Sequence, residues 1–267
     1  MTTGESSSTK HTEYSEDYFL TACDGHAVYS TGRGLVLSER LQAIWHYLQV
    51  QPGIAVLDLG CGRGEITVQC GLTGAAAVGI DYSIASIRLA GETIRHAENL
   101  NRDLWRRPLL AVGNAKLLPF EDRTFDRAVM SDLVEHLYPA ELATCLEEVY
   151  RVLAPGGELL IHTMPNLWYY HFGYPIFRAV QRVQGKQLPA DPRERFRYSH
   201  VHVNEQTPLS LRRTLANSSF TSWSVWLHDY RTYSTYSWAM RRSMRLLTTL
   251  PLLKWVFCDD IFARARK

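Results

Sequence analysis

Val56–Cys70, VLDLGCGRGEITVQC, is the stretch whose reading decides the fold. A run of small apolar residues carries one acid, Asp58, meets glycines at 60, 62 and 64, and continues as a helical pattern. A strand that ends in glycines and restarts as a helix lets backbone approach a nucleotide-like ligand. The dinucleotide fingerprint G-x-G-x-x-G fails in both registers, because the third position is Glu65 counted from Gly60 and Thr67 counted from Gly62. Asp58 also argues against a pyrophosphate, which its carboxylate would repel. A ligand with a cationic group fits it better, and the helix start at Gly64 can receive an anionic one.

Working outward, strands are predicted at 54–59, 75–81, 108–113, 126–131 and 158–163, with helices at 64–72, 84–100 and 140–153. Ala154-Pro155-Gly156-Gly157 reads as the stop of the last of these helices. An amphipathic helix precedes the block at 35–48, and a helix at 208–217, a strand at 220–228 and a last strand in DDIFARA follow it. Such alternation specifies an α/β fold, a parallel sheet with helices on both faces. The rhythm breaks at about 165–205 and 230–257, which read as cap or lid insertions into one domain covering 28–267. The preceding segment, 1–27, is polar at its start and reads as mostly disordered or lid-like.

A chain of 267 residues with 46% hydrophobic and 21% charged residues is of ordinary globular composition. Its net charge of +2 gives no global field for nucleic acid, so no nucleic-acid partner is expected. Five cysteines without a C-x-x-C pair suit reduced thiols and a cytoplasmic location. No stretch reaches the roughly 18 apolar residues of a spanning helix, so no transmembrane segment is expected. Residues 236–257 mix Trp, Leu and Arg as interfacial helices do, which leaves peripheral membrane contact open.

S-adenosylmethionine has the cationic groups that Asp58 would welcome, an ammonium and a sulfonium. LDLGCGRG, with VGIDYS about twenty residues on, NAKLLPFEDRTFDRAVMSDLVEHL and LEEVYRVLAPGGELLIHT, resembles the class I S-adenosylmethionine-dependent methyltransferases of the small-molecule type. The likeness is dense over about 50–164 and looser over 206–265, and it implies a Rossmann-like, doubly wound, mostly parallel seven-stranded sheet with helices on both faces and an antiparallel last strand. It implies S-adenosylmethionine as cofactor and a cofactor site made of Asp58, Leu59, Gly60, Cys61, Gly62, Gly64, Asp81, Tyr82, Asn114, Ala115, Ser131 and Leu133. In that scheme Asp81 accepts hydrogen bonds from the ribose hydroxyls and Tyr82 packs on the adenine. Asn114 stands where the family commonly has an acid, and its amide oxygen can still accept from the adenine amino group. Ser131 and Leu133 line the sulfonium pocket.

The sequence SDLVEHL brings Asp132, Glu135 and His136 to the mouth of the fourth strand. Methyl transfer needs alignment, and a hydroxyl acceptor also needs a base. Histidine titrates in the right range, so His136 is the candidate base, with Glu135 or Asp132 orienting it. Asp132-x-x-Glu135-His136 also resembles the E-x-x-E-H metal motif of some members, and His200 and His202 in SHVHVNEQTP could complete a divalent site. A metal is therefore the minor alternative. The acceptor is expected to be a small molecule, methylated on an oxygen of a sugar, phenol or lipophilic metabolite. The alternatives are a metal-assisted RNA 2′-O-methyltransferase and a non-catalytic cofactor-binding protein. Tyr14, Tyr18, Phe19, Tyr29 and the aromatics of 168–177 are expected to form the lid, with Arg178, Arg182, Arg193, Arg195 and Arg197 available for an anionic group.

Overall fold

The computed structural model describes residues 14–99, 105–233 and 238–267. The disorder expected for the polar start lies on residues 1–13, outside the described residues, as does residue 100 at the expected end of its helix. Sequence alternation becomes two apolar layers here, because successive strand residues point to opposite faces. Strand β1 (Ala55–Leu59) sends Leu57 and Leu59 to one layer and Val56 to the other. Strands β4 (Phe125–Ser131) and β5 (Leu153–Thr163) repeat this, with Met130 and Ile161 on the first side and Val129 and Leu160 on the second. Helix α1 (His26–Gly32) was not anticipated, and helix α2 (Glu39–Leu48) starts later than its pattern suggested. Ser38 explains that start, since its hydroxyl accepts from the backbone N–H of Leu41 and caps the helix.

Helix α3 (Glu65–Leu72) leads from β1 to β2 (Ala76–Asp81), and α4 (Ile84–Glu98) leads on to β3 (Leu109–Val112). After β4, α5 (Pro139–Val152) enters β5 with no intervening turn. Ala154–Gly157, expected to be a separate stop, lies inside β5 instead. Phe125 pairs with Leu153 and Arg127 with Glu158, so the four residues between are accommodated as an irregularity in the ladder. Helix α6 (Tyr174–Val183) lies in the first insertion and α7 (Pro208–Ala216) precedes β6 (Ser222–Leu227). Helices α8 (Trp238–Thr249) and α9 (Lys254–Phe257) lie in the second insertion, before β7 (Ile261–Arg266).

The sheet order is β3-β2-β1-β4-β5-β7-β6, with β7 antiparallel to both neighbours and the other pairings parallel. The chain winds from β1 outward to β3, then returns to place β4 on the other side of β1. Between β1 and β4 the two following connections part in opposite directions, and a crevice opens at the strands' carboxyl ends. Gly60 follows one of these strands and Asp132 the other. No helix among the described residues is long and apolar enough to cross a membrane.

Candidate functional site

The glycine turn is built to come close to its neighbours. Gly60, Gly62 and Gly64 all have positive φ, and a Cβ on Gly64 would lie 2.8 Å from that of Ala90 on α4. Only glycine meets both demands at position 64. The turn is anchored to the end of β2: Gly60 N–H donates to the Ile80 carbonyl at 2.8 Å, and Gly62 N–H to Asp81 Oδ2 at 3.1 Å. Asp81 Oδ1 also accepts from Ser83 N–H at 2.9 Å.

Asp58 shares its sheet face with Val56, toward α3, where Thr67 donates its hydroxyl to Asp58 Oδ2 at 2.6 Å. Burial pushes the Asp58 carboxyl up to about 7 despite that bond, and the carboxylates of Asp81 and Glu65 raise it further. Asp81 is raised as well, again through burial. Two buried acids that face one cavity, with no ion pair of their own among the described residues, fit a cationic ligand.

Of the residues expected around the cofactor, Asp58, Gly60, Cys61, Gly62, Asp81, Tyr82, Asn114, Ala115, Ser131 and Leu133 line one cavity of about 1250 Å³. Leu59 does not reach it, because strand alternation turns its side chain into the opposite apolar layer. Gly64 serves the packing of α3 on α4. Asn114 Oδ1 accepts from Lys116 N–H at 3.0 Å, so its carbonyl oxygen also holds the turn after β3.

Sequence reasoning overlooked Arg63, the cation between the glycines. Its side chain is buried, pairs with Glu65 at 2.9 Å, and donates to the carbonyls of Phe19 and Asp24 at 3.0 and 2.9 Å. Its guanidinium also lies over the Tyr29 ring, 4.8 Å from the centroid. Arg63 thereby straps residues 19–29 across the glycine turn. Tyr14 extends the cover: its carbonyl accepts from Ser83 Oγ at 2.8 Å, and its hydroxyl meets His136 Nδ1 at 2.8 Å.

The acid–histidine cluster splits in two. His136, on the short 3₁₀ turn Val134–His136, has its Nδ1 between the Tyr14 hydroxyl and the Val201 carbonyl, 3.3 Å away. Glu135 is buried beside it, accepts from the Thr163 hydroxyl at 2.7 Å, and is pushed up to about 7 by burial and by the charge on Asp132. Among the described residues, the side-chain hydrogen bonds of Glu135 and Asp132 go to Thr163, His162 and Arg40. Asp132 has φ 53° and bonds His162 Nδ1 at 2.6 Å and the Arg40 guanidinium. Burial opposes ionisation of Asp132, but Arg40 and His162 override it and hold the carboxyl well below the usual range.

His162 is fully buried between Asp132 and Asp260, whose Oδ1 is 3.3 Å from Nε2. Burial alone would lower its pKa, yet the two carboxylates raise it to about 9. A histidine within an otherwise apolar strand, LLIHT, was the available signal for this ion network. Its partners come from α2 and from the residues before β7, too distant in sequence to be paired by inspection.

The expected metal set is also rearranged. Glu135, His136 and His202 bring ligating atoms within 4.8 Å of one another, with His202 Nδ1 3.8 Å from Glu205. Asp132 faces its ion pairs, and His200 is exposed beside the Tyr198 ring. The remaining three-residue set has donors that suit a divalent ion such as Zn²⁺.

The cavity continues past His136 beneath the cap, where Tyr169, Tyr170, Phe177, Met244 and Phe257 line it. The aromatic stretch divides its work. Trp168 packs on Trp255 at 5.4 Å between centroids, and Tyr174 is buried with its hydroxyl on the Pro189 carbonyl, so these two build the cap itself. Arg195 and Arg197 line the cavity, while Arg193 is committed to Glu205.

Residues 57–161 match a family model described as a methyltransferase domain. An uncharacterised methyltransferase of Synechocystis is 32% identical over 135 residues, covering 50% of this chain and 58% of its own length. A demethylmenaquinone methyltransferase of Corynebacterium kroppenstedtii is 33% identical over 131 residues, 47% of this chain and 51% of its own. One of the same name from Listeria welshimeri is 30% identical over 164 residues, 57% and 65% respectively. The chain thus spans between about half and two thirds of the length of these curated relatives. A crystal structure described as an S-adenosylmethionine-dependent methyltransferase of Methanosarcina mazei shares the fold with TM-score 0.55 and 24% identity, over 84% of this chain and 96% of that one. Residues 57–161 are thus similar to a methyltransferase domain, and the strand order is that of a fold shared with an S-adenosylmethionine-dependent methyltransferase.

Proposed function

We propose that this chain transfers a methyl group from S-adenosylmethionine to a hydroxyl of a lipophilic, phenol- or quinol-like small molecule. The observation that carries the reading is the single cavity running from Asp58, Asp81 and the glycine turn, past Ser131 and His136, to the aromatic underside of the cap. S-adenosylmethionine supplies the methyl group from its sulfonium. Asp81 accepts from the ribose hydroxyls, and Asp58 and its buried surroundings favour the cationic end. Tyr82 and Asn114 face the adenine, with Ser131 and Leu133 beside the sulfonium. The cap aromatics then hold the acceptor ring and exclude water, which aligns nucleophile and methyl.

His136 takes the acceptor proton, with Tyr14 fixing the imidazole through Nδ1. Two of the relatives carry the name demethylmenaquinone methyltransferase, which supports a lipophilic ring compound as acceptor. A second reading is favoured by the convergence of Glu135, His136 and His202: an ion held there would acidify the acceptor hydroxyl in place of a base.

Isothermal titration of S-adenosylmethionine tests the donor half. Asp81→Ala should weaken binding at least a hundredfold, since two hydrogen bonds to a charged acceptor are lost. Undiminished affinity would sink the cofactor assignment. Release of S-adenosylhomocysteine with a panel of prenylated phenols and quinols tests the acceptor half. On the substrate found, His136→Gln should slow turnover roughly 10²–10⁴-fold while cofactor affinity holds.

A further inference from the structure

The outer surface of the cap carries a feature that the cavity does not use. On α6 and the turn before it, Phe172, Ile176, Val180 and Val183 recur at three- and four-residue spacing, and all four are exposed. The opposite side of the helix buries Tyr174 and Gln181, so the apolar stripe points away from the domain. On α8 and the turn after it, Trp238, Leu246, Leu250 and Leu252 are exposed, while Met244 and Thr248 face inward. Val183 and Leu252 are the extremes, at 89% and 86% exposed.

The two elements belong to one structure. Helix α9 packs on both α8 and the turn Tyr169–Gly173, and a Cβ on Gly173 would run into the Val256 carbonyl.

Charge on these segments is one-sided. Residues 165–190 and 238–257 contain no aspartate or glutamate, although the whole chain carries 27 acidic residues against 29 basic ones. Their cations are Arg178, Arg182, Lys186, Arg241, Arg242, Arg245 and Lys254. Arg242 and Arg245 are exposed on the same outward side of α8 as Trp238 and Leu246, and Arg242 lies over the Trp238 ring at 5.4 Å. Apolar side chains interleaved with arginine and tryptophan, without a single acid, complement a surface that is apolar within and anionic at its boundary.

We propose that this face of the cap docks on an anionic lipid bilayer. Val183 and the leucines of α8 and its following turn enter the headgroup–acyl boundary, and the arginines meet lipid phosphates. The inference is independent of the chemistry proposed above, because docking needs neither cofactor nor acceptor.

The test is co-sedimentation of the full chain, without cofactor, with vesicles of phosphatidylcholine alone and with 30% phosphatidylglycerol added. The expected result is sedimentation with the anionic vesicles, weakened by 0.5 M NaCl. Arg242→Gln with Arg245→Gln should weaken partitioning roughly fivefold per cation lost. Val183→Asp with Leu252→Asp should abolish it, and thermal unfolding of that variant should match the parent because both positions are exposed. No binding to anionic vesicles, equal binding to both compositions, or variants that bind like the parent would each overturn the proposal. Self-association in analytical ultracentrifugation that disappears in Val183→Asp with Leu252→Asp would assign the face to a second copy, and would overturn it as well.

Discussion

At pH 8 the Asp58→Asn protein should lose less stability, relative to its own value at pH 4, than the parent does. Asp58 lies at the end of β1 with its carboxyl pushed up to about 7 from 3.8, chiefly by burial. A tenfold change in proton affinity corresponds to roughly 1.4 kcal/mol, so ionising this group opposes folding by about 4 kcal/mol above pH 7. The sign follows from proton counting. Between about pH 4 and 7 the native state holds the proton while the unfolded chain has released it, so stability falls as pH rises through that window. Asparagine keeps an acceptor for the Thr67 hydroxyl but does not titrate. Its amide nitrogen, left without a partner, costs about 1–3 kcal/mol at every pH. The diagnostic is therefore how the difference between the two proteins changes with pH, whatever its offset. Urea unfolding of cofactor-free protein at pH 4, 5, 6, 7 and 8 measures it. Titration of S-adenosylmethionine at pH 8 should show weaker binding to the variant, because the acid that burdens the fold is the one the proposed function assigns to the cationic end of the cofactor. Stability curves of parent and variant that run parallel from pH 4 to 8 would refute the reasoning: Asp58 would then be an ordinary acid with no reserve for a ligand.

Arg63→Ala removes the strap over the glycine turn and leaves Glu65 buried without its cation, so a loss of about 3–5 kcal/mol is expected. Limited proteolysis should then cut within 19–29, and an unchanged digestion pattern would contradict the strap. His162→Asn tests the buried ion network, in which the imidazole pKa is raised to about 9. Stability from His162 is fully present below about pH 6.5 and is lost as pH rises through 9, so this alkaline loss should disappear in the variant's unfolding curves. If His136 works as a base, turnover should survive EDTA with less than a twofold change, whereas collapse restored by Zn²⁺ or Mn²⁺ would give Glu135, His136 and His202 to a metal.

The parallel core was readable because it rests on local rules: an apolar run, a glycine turn, then helical spacing, repeated along the chain. The pairings at the end of β4 were not readable by the same rules. Asp132 and His136 are neighbours in SDLVEHL, yet the left-handed backbone at Asp132 and the buried positions of Arg40 and His162 send its carboxylate elsewhere. In the same way His200 and His202 differ by two residues, but only His202 joins Glu205 and Glu135. Side-chain direction at a strand mouth depends on which distant cations and hydroxyls are buried nearby, and residue spacing carries no record of them.

Sequence alone determined the strand–turn–helix at Val56–Cys70, the ruling out of a dinucleotide, and the positions of Asp58 and Asp81 at two strand ends. Each depends on periodicity or on glycine's freedom within a few residues. Tertiary structure decided that Leu59 belongs to the core, that Arg63 holds the N-terminal segment over the turn, and that helix α9 of the second insertion packs on the turn Tyr169–Gly173 of the first. These depend on contacts between residues tens of positions apart. Burial sets the strength of such contacts, and burial exists only once the chain has folded.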